Sequence, residues 1–292
     1  MNVLELVQAA YGEMGIPEPA SLLTTGEDEM QAKRLLYAQA RHLRNQRSFP
    51  QLKRIKTLTT TTASTYQLPQ DFFAAIAETG WDRTNRHSLG SSGSDIEYNQ
   101  LTYGSGIGGA PYNYRIFGPD SNPNSTGGQF NIYPAPANNT SIGFEYITKT
   151  MFTPPYWTAS ETGITSTPAE YRFVNELILK ATAITTGTTS TTAPTAAGVD
   201  GGVTWAVVSA PYETILVNED LSLFDDDIMI AGIKWRYRQS KDQEFSSFLA
   251  EHNALKDKAK TRWHGSFTGR LDNKGANLFS GRLRTPYKSW SI

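Results

Sequence analysis

The sequence predicts an α+β protein in which helices from both ends of the chain pack as a bundle and antiparallel β-structure is inserted between them. Three observations point there. Apolar residues recur at helical spacing near both ends of the described pattern, they alternate with period two from Lys53 to about Phe152, and Thr, Gly, Ser and Asn crowd the middle of the chain. The 292 residues divide into N-terminal helices (1–52), an antiparallel β-domain (53–152), an inserted small β-module (153–217), C-terminal helices (218–263) and an extended arm (264–292).

The first helix is read from Val3, Leu6, Val7, Ala10 and Met14 on one face, with Gly15-Ile16-Pro17 ending it. A second starts at Thr24-Thr25-Gly26-Glu27-Asp28, where hydroxyl caps precede acids that suit a helix N-terminus. Ala32, Leu35, Leu36, Gln39 and Leu43 give its buried stripe, and Lys33, Arg34, Arg41, Arg44 and Arg47 read as a solvated basic face.

In the β-domain, Ile55, Leu58 and Thr59 to Thr62 form a strand entering a turn, answered by Tyr66-Gln67-Leu68-Pro69 as the returning strand. Phe72 to Trp81 is apolar enough to be buried, and Leu89 to Gly109 reads as a Ser- and Gly-rich loop with a short helix at Ser94 to Leu101. Tyr112 to Gly118, Gln129 to Tyr133, and the alternating Ile142, Phe144 and Tyr146 are further strands, together a sandwich or barrel.

The insert opens at Pro154-Pro155 and holds strands at Asn175 to Ala183 and Val203 to Val208, with Trp157 and Trp205 as its aromatic core. A module of about 60 residues is near the lower limit for folding alone. Helices return at Asp225-Asp226-Asp227, acids placed to cap, with Ile228, Ala231, Trp235 and Arg238 on one face. Phe245, Phe248, Leu249, His252, Leu255, Ala259 and Trp263 make the strongest helical stripe.

Past His264 regularity vanishes. The tail is net positive, through Arg270, Lys274, Arg282, Arg284 and Lys288, yet it keeps Phe267, Leu271, Leu278, Phe279, Leu283, Tyr287 and Trp290. A free solvated tail rarely carries so many large apolar groups. The spacing suits an extended arm lying in a partner's groove.

Catalytic signals are weak. There is no cysteine, hence no disulfide and no thiolate metal site, and the four histidines (His42, His87, His252, His264) form no ligand spacing. His252 lies on an apolar stripe and reads as a satisfied core-edge residue. Gly104, Gly106 and Gly109 match a dinucleotide fingerprint by letter only, since Ala110-Pro111 follows where a helix should begin. Asp71, Asp82 and Asp95 are scattered near turns, so no carboxylate pair stands out. The sequons at Asn124, Asn138 and Asn139 follow from composition. The N-terminus has no signal-peptide pattern, and no apolar run approaches the roughly 18 residues of a membrane span, so neither enzyme activity, cofactor, metal nor membrane is expected and the cytoplasm is the expected site of synthesis.

The run Tyr66-Gln67-Leu68-Pro69-Gln70-Asp71-Phe72, followed by Gly80-Trp81-Asp82-Arg83-Thr84-Asn85-Arg86, resembles the head-to-tail adaptor (connector) proteins of short-tailed bacteriophages. Tyr114-Arg115-Ile116-Phe117-Gly118 is similar to the family's next strand. Ile132 to Pro136 and Phe144 to Lys149 look like the two after it, and Asp226 to Arg236 is similar to the helix that follows. The resemblance covers about residues 1–152 and 216–275. The insert departs from the shortest members and resembles small β-modules of phage tail proteins that end in a Gly-x-Val-Thr-Trp turn and strand, here Gly201 to Trp205.

The resemblance implies a structural virion protein, dodecameric in the family, in the neck between capsid portal and tail, assembled in the host bacterial cytoplasm. Its helices would form the collar and its β-domain would project outward or downward. The arm from Phe267 to Trp290 would climb between portal subunits, its cations pairing with portal acids. Partners would be the portal protein, identical subunits, and tail, nozzle or tail-fibre proteins. Phage DNA would pass transiently through the lumen, which suits a formal net charge of -1. The alternatives are another tail tube or hub component, or a glycan-binding or glycan-degrading tail protein in which Trp157 and Trp205 stack on a sugar.

Overall fold

The computed structural model describes residues 1–69, 71–91, 99, 113–119, 128–174, 177–208 and 213–264. The short helix expected at Ser94 to Leu101, apart from the helical Asn99, the glycines Gly104, Gly106 and Gly109, and the whole arm from Phe267 to Trp290 lie outside the described residues.

Helix α1 (Val3–Met14) begins in a reciprocal cap. The Glu5 N–H donates to Asn2 Oδ1 at 2.8 Å while the Asn2 N–H donates to Glu5 Oε2 at 2.9 Å. It ends at Gly15, whose φ of +71° closes the last turn without a Cβ clash. Helix α2 (Glu27–Asn45) is capped differently from expectation. Gly26 occupies the cap with no side-chain bond, and the Thr24 hydroxyl turns back to the Ser21 carbonyl instead. Acids at Glu27, Asp28 and Glu29 still favour the positive end of its dipole.

Helix α3 (Asp226–Ser240) is the axis of the bundle. Helices α1, α2 and the later α4 (Ser246–His264) all pack on it, so Ile228, Met229, Ala231, Gly232, Ile233, Lys234 and Trp235 are buried around most of its circumference. The expected Asp225 cap makes no side-chain bond to the helix; Asp226 takes the N-terminal ammonium at 2.9 Å and Asp225 lies 3.6 Å from Arg262. The α4 stripe is only half covered. His252 and Ala259 are buried, whereas Phe245, Phe248, Leu249 and Leu255 are partly exposed, because α4 packs mainly on α3, reaches α2 through His252, and has no helix on its outer side among the described residues.

The same core takes in Phe49, Leu52, Ile147, Met151, Phe152, Ile215 and Phe224, welding the bundle to the root of the β-structure. The expected hairpin between Ile55 and Leu68 does not form. Strand β1 (Lys53–Thr59) pairs antiparallel with β9 (Ser141–Thr148), while β2 (Thr65–Gln67) pairs with β8 (Gly128–Tyr133) in another sheet. Thr60 carries the chain across: its buried hydroxyl donates to the Ala137 carbonyl at 2.6 Å and accepts the Thr140 N–H at 3.0 Å.

One sheet runs β1-β9-β4-β5, with β3 (Phe72–Ala75) also on β9 and with β4 (Trp81–Asp82) and β5 (His87–Ser88) as a hairpin. The other runs β2-β8-β7-β6, where β6 is Gly90–Ser91 and β7 is Asn113–Pro119. The sheets share a core in which Phe130 stacks on Tyr114 at 5.1 Å and on Phe144 at 4.7 Å. Strand β9 sends Ile142, Phe144 and Tyr146 toward this core and, at its far end, Ile147 toward the bundle. The segment from Phe72 to Trp81 is less buried than its composition suggests. Phe72 to Ile76 are half-buried and Trp81 is 46% exposed, because β3 and β4 present one face outward.

Strands β10 (Phe152–Thr153) and β15 (Leu221–Ser222) pair where the chain leaves for the insert and returns from it. Between them, β11 (Tyr171–Val174), β12 (Leu177–Ile184), β13 (Gly198–Asp200) and β14 (Val203–Val207) form a sheet of order β11-β12-β14-β13. Ile164, Leu179, Ala181, Val203 and Trp205 fill its core.

Candidate functional site

Three places in the fold concentrate chemistry. The first is the tryptophan pair of the insert. Both indole N–H groups donate to one carboxylate oxygen, Asp200 Oδ2, at 2.8 Å from Trp157 and 3.1 Å from Trp205. Asp200 Oδ1 accepts the Ser190 N–H at 2.9 Å. Burial pushes the Asp200 carboxyl up, but the donors from Ser190, Trp157 and Trp205 outweigh it and hold it below its ordinary value. Trp205 is 2% exposed, so its ring faces belong to the core and offer no platform for a sugar. Trp157 is half-buried against the same cluster.

The second is a polar knot inside the helical bundle. The Gln39 Nε2 amide lies 2.8 Å from His252 Nε2 and its Oε1 accepts from Arg236 Nε at 3.1 Å, while His42 sits with its ring centre 6.1 Å from that of His252. With Gln39 donating, the imidazole is neutral and carries its proton on Nδ1, which has no partner among the described residues. Burial first, and then the cations Lys256, His42 and Arg236, push His252 down to about 4. At 1% exposure His252 is a core residue, but with Nδ1 lacking a partner among the described residues it is not the satisfied one that its place on the stripe suggests.

The third is a cavity of about 520 Å³ where the insert meets the approach to α2, walled by Leu23, Pro155, Pro168, Tyr171 and Val217 with the acids Glu170 and Glu219. Arg172 lines it too, but its guanidinium is held by Glu161 (2.6 Å) and Glu170 (2.8 Å). Beside it, Asp220 is fully enclosed: Oδ2 accepts the Leu216 N–H at 2.6 Å while Oδ1 has no partner among the described residues. Burial, and to a lesser degree Glu219, lift Asp220 to about 6 against the pull of the Leu216 and Val217 N–H groups.

The scattered carboxylates serve the fold. Asp71 accepts from the Tyr146 hydroxyl (3.0 Å) and the Thr148 hydroxyl (2.7 Å). Asp82 organises the β4–β5 turn; Asp95 lies outside the described residues. Among the described residues no three His, Cys, Asp or Glu side chains gather as a metal-holding group, and no helix is long and apolar enough to cross a membrane. The basic face of α2 is not wholly solvated: Arg44 is buried, pairs with Glu213 and lies 4.3 Å over the Phe73 ring.

Sequence reasoning missed Asp200, Asp220 and the Arg44 pair. An acid directly before the Gly201-Gly202 turn and five residues from Trp205 is the one local signal for Asp200. The others depend on contacts between distant segments. Compared with known proteins, the sequence matches no family model and no curated relative.

Proposed function

We propose that the chain is a structural subunit of a tailed bacteriophage: a head-to-tail adaptor that stacks as a ring beneath the portal, joins capsid to tail and lets DNA pass. The observation that carries this reading is the state of α4. Its apolar stripe, Phe245, Phe248, Leu249 and Leu255, is only half covered, and the chain continues from it into the cationic, apolar run from Phe267 to Trp290. A helix half-finished on its outer side, leading into such a run, calls for a partner surface. The portal is that partner, with the apolar groups filling clefts between its subunits and Arg270, Lys274, Arg282, Arg284 and Lys288 facing acids.

The resemblance motifs support the same reading by the roles their residues take. Asp71 and Asp82 hold internal donors, and the Trp81 to Arg86 turn is displayed outward rather than folded around a reaction centre. The carboxylates that a glycan-cleaving protein would use are committed to internal donors at Asp71, Asp82 and Asp200. The chain acts without chemistry of its own.

The test is co-sedimentation with purified portal rings. The wild-type chain is expected to pellet with them saturably, and Arg282→Glu combined with Trp290→Ala is expected to abolish this while leaving circular dichroism unchanged. Failure of the wild-type chain to pellet would remove the adaptor reading. Unchanged pelleting of the double variant would remove the arm.

A further inference from the structure

Two of the large exposed apolar side chains stand on one sheet face. Ile55 is 59% exposed and Trp81 46% exposed, on the strands flanking β9. Ile55 pairs with Glu145, while Thr57 and Trp81 pair with Gly143 from either side, so all five positions lie on the face away from the Phe144 core. Gly143 leaves this face open, and Arg83 lies in the space: a Cβ there would come within 2.7 Å of Arg83 Nε.

The hairpin is rigid before any partner arrives. Asp82 is fully buried and accepts the Thr84 N–H (2.9 Å), the Asn85 N–H (2.8 Å) and the Asn85 side-chain amide (2.8 Å). Trp81, Arg83 and Arg86 are thereby held outward. Tryptophan and arginine dominate binding hot spots, and preorganisation lowers the entropy cost of docking.

The complementary feature is the cavity of about 520 Å³, apolar at Leu23, Pro155, Pro168 and Val217 and acidic at Glu170 and Glu219. Its one lining cation, Arg172, is already matched by Glu161 and Glu170, which leaves the wall acidic in excess. The cavity lies beside Leu23, before α2, whereas the hairpin pairs with β9 and contributes no residue to the cavity wall. The hairpin and the cavity of one molecule do not meet.

We propose that the Trp81–Arg83 hairpin of one copy of this chain seats in the Leu23–Glu219 cavity of the next. The indole fills the apolar floor, and Arg83 and Arg86 face Glu170 and Glu219. Because the two surfaces differ, the contact is head-to-tail and propagates around a ring if the rotation closes. This deepens the ring reading above and rests on it for closure.

The chain has no cysteine, so an engineered pair reports the contact cleanly. Ser88→Cys is placed in one tagged copy and Ala169→Cys in a second, and the mixture is oxidised at high concentration. A disulfide-linked heterodimer is expected, weakened roughly tenfold or more by Trp81→Ala. Charge exchange, with Arg83→Glu on the first copy and Glu219→Arg on the second, should restore it after either change alone has weakened it. Circular dichroism confirms that the exposed-site variants fold. A heterodimer that never forms, or one that forms equally with Trp81→Ala, overturns the proposal. Portal co-sedimentation is read in parallel: pelleting without the heterodimer overturns this contact and leaves the adaptor reading standing, whereas a heterodimer without pelleting does the reverse.

Discussion

Gln39 and His252 meet at 2.8 Å in the centre of the helical bundle, over the one α3 position that has no side chain. At Gly232 a Cβ would fall 2.0 Å from Gln39 Cδ, so α2 and α3 approach closely only because that residue is glycine. A polar contact between buried groups this well enclosed specifies how the helices sit on one another.

Gly232→Ala is therefore expected to destabilise the fold by about 1–3 kcal/mol through overpacking, despite the better helix propensity of alanine. Gln39→Ala should remove the clash at the cost of leaving His252 unpaired. The double variant should be more stable than the sum of the two single losses, and denaturant unfolding of all three proteins checks it.

Two buried groups set opposing pH dependences. His252, held down to about 4, favours the fold above its ordinary value of 6.5, and that contribution is lost as pH falls toward 4. Asp220, lifted to about 6 from 3.8, does the opposite: its contribution is complete below 3.8 and is lost as pH rises through 6. Between pH 4 and 6 the two slopes offset each other. Relative to wild type, His252→Gln should gain stability as pH falls through that window and Asp220→Asn should lose it. Each swing should be on the order of 2 kcal/mol once partial screening is allowed for. Unfolding free energies measured at half-unit intervals resolve the two; parallel curves would contradict the assignment.

Asp200 is the keystone of the insert. Asp200→Ala leaves two indole N–H groups and the Ser190 N–H without their acceptor, at about 1–3 kcal/mol for each buried donor left unmet. The insert should then open locally while the bundle persists, read as exposure of Trp157 and Trp205 to a fluorescence quencher with little change in helical circular dichroism. Asp200→Asn should retain part of the structure, since its carbonyl oxygen still accepts.

What was legible in the sequence was what local physics decides. The stripe from Val3 to Ala10 and the stop at Gly15 fix α1 within its own residues, and the strand at Ile142, Phe144 and Tyr146 announces itself by alternation. What was not legible depended on distant partners. Strand β1 has the turn and the returning strand of a hairpin, yet its register lies with β9, more than 80 residues away, because Thr60 pins the crossing to Ala137 and Thr140. The weak apolar asymmetry of α3 marks it as the central helix only once three neighbours surround it. The cavity is assembled from Leu23, Pro155 to Arg172 and Val217 to Glu219, segments whose proximity no spacing reveals. The arm residues from Phe267 to Trp290 are assigned on sequence alone.

Electron cryomicroscopy of portal rings incubated with the purified chain tests most directly the proposed ring beneath a portal. Added density of matching symmetry is expected under the portal, with the four-helix bundle against it, the β-sheets away from it and a strand of arm density between portal subunits. Portal rings that emerge bare, or that carry the chain through its β-sheets with the arm turned away, would contradict the account.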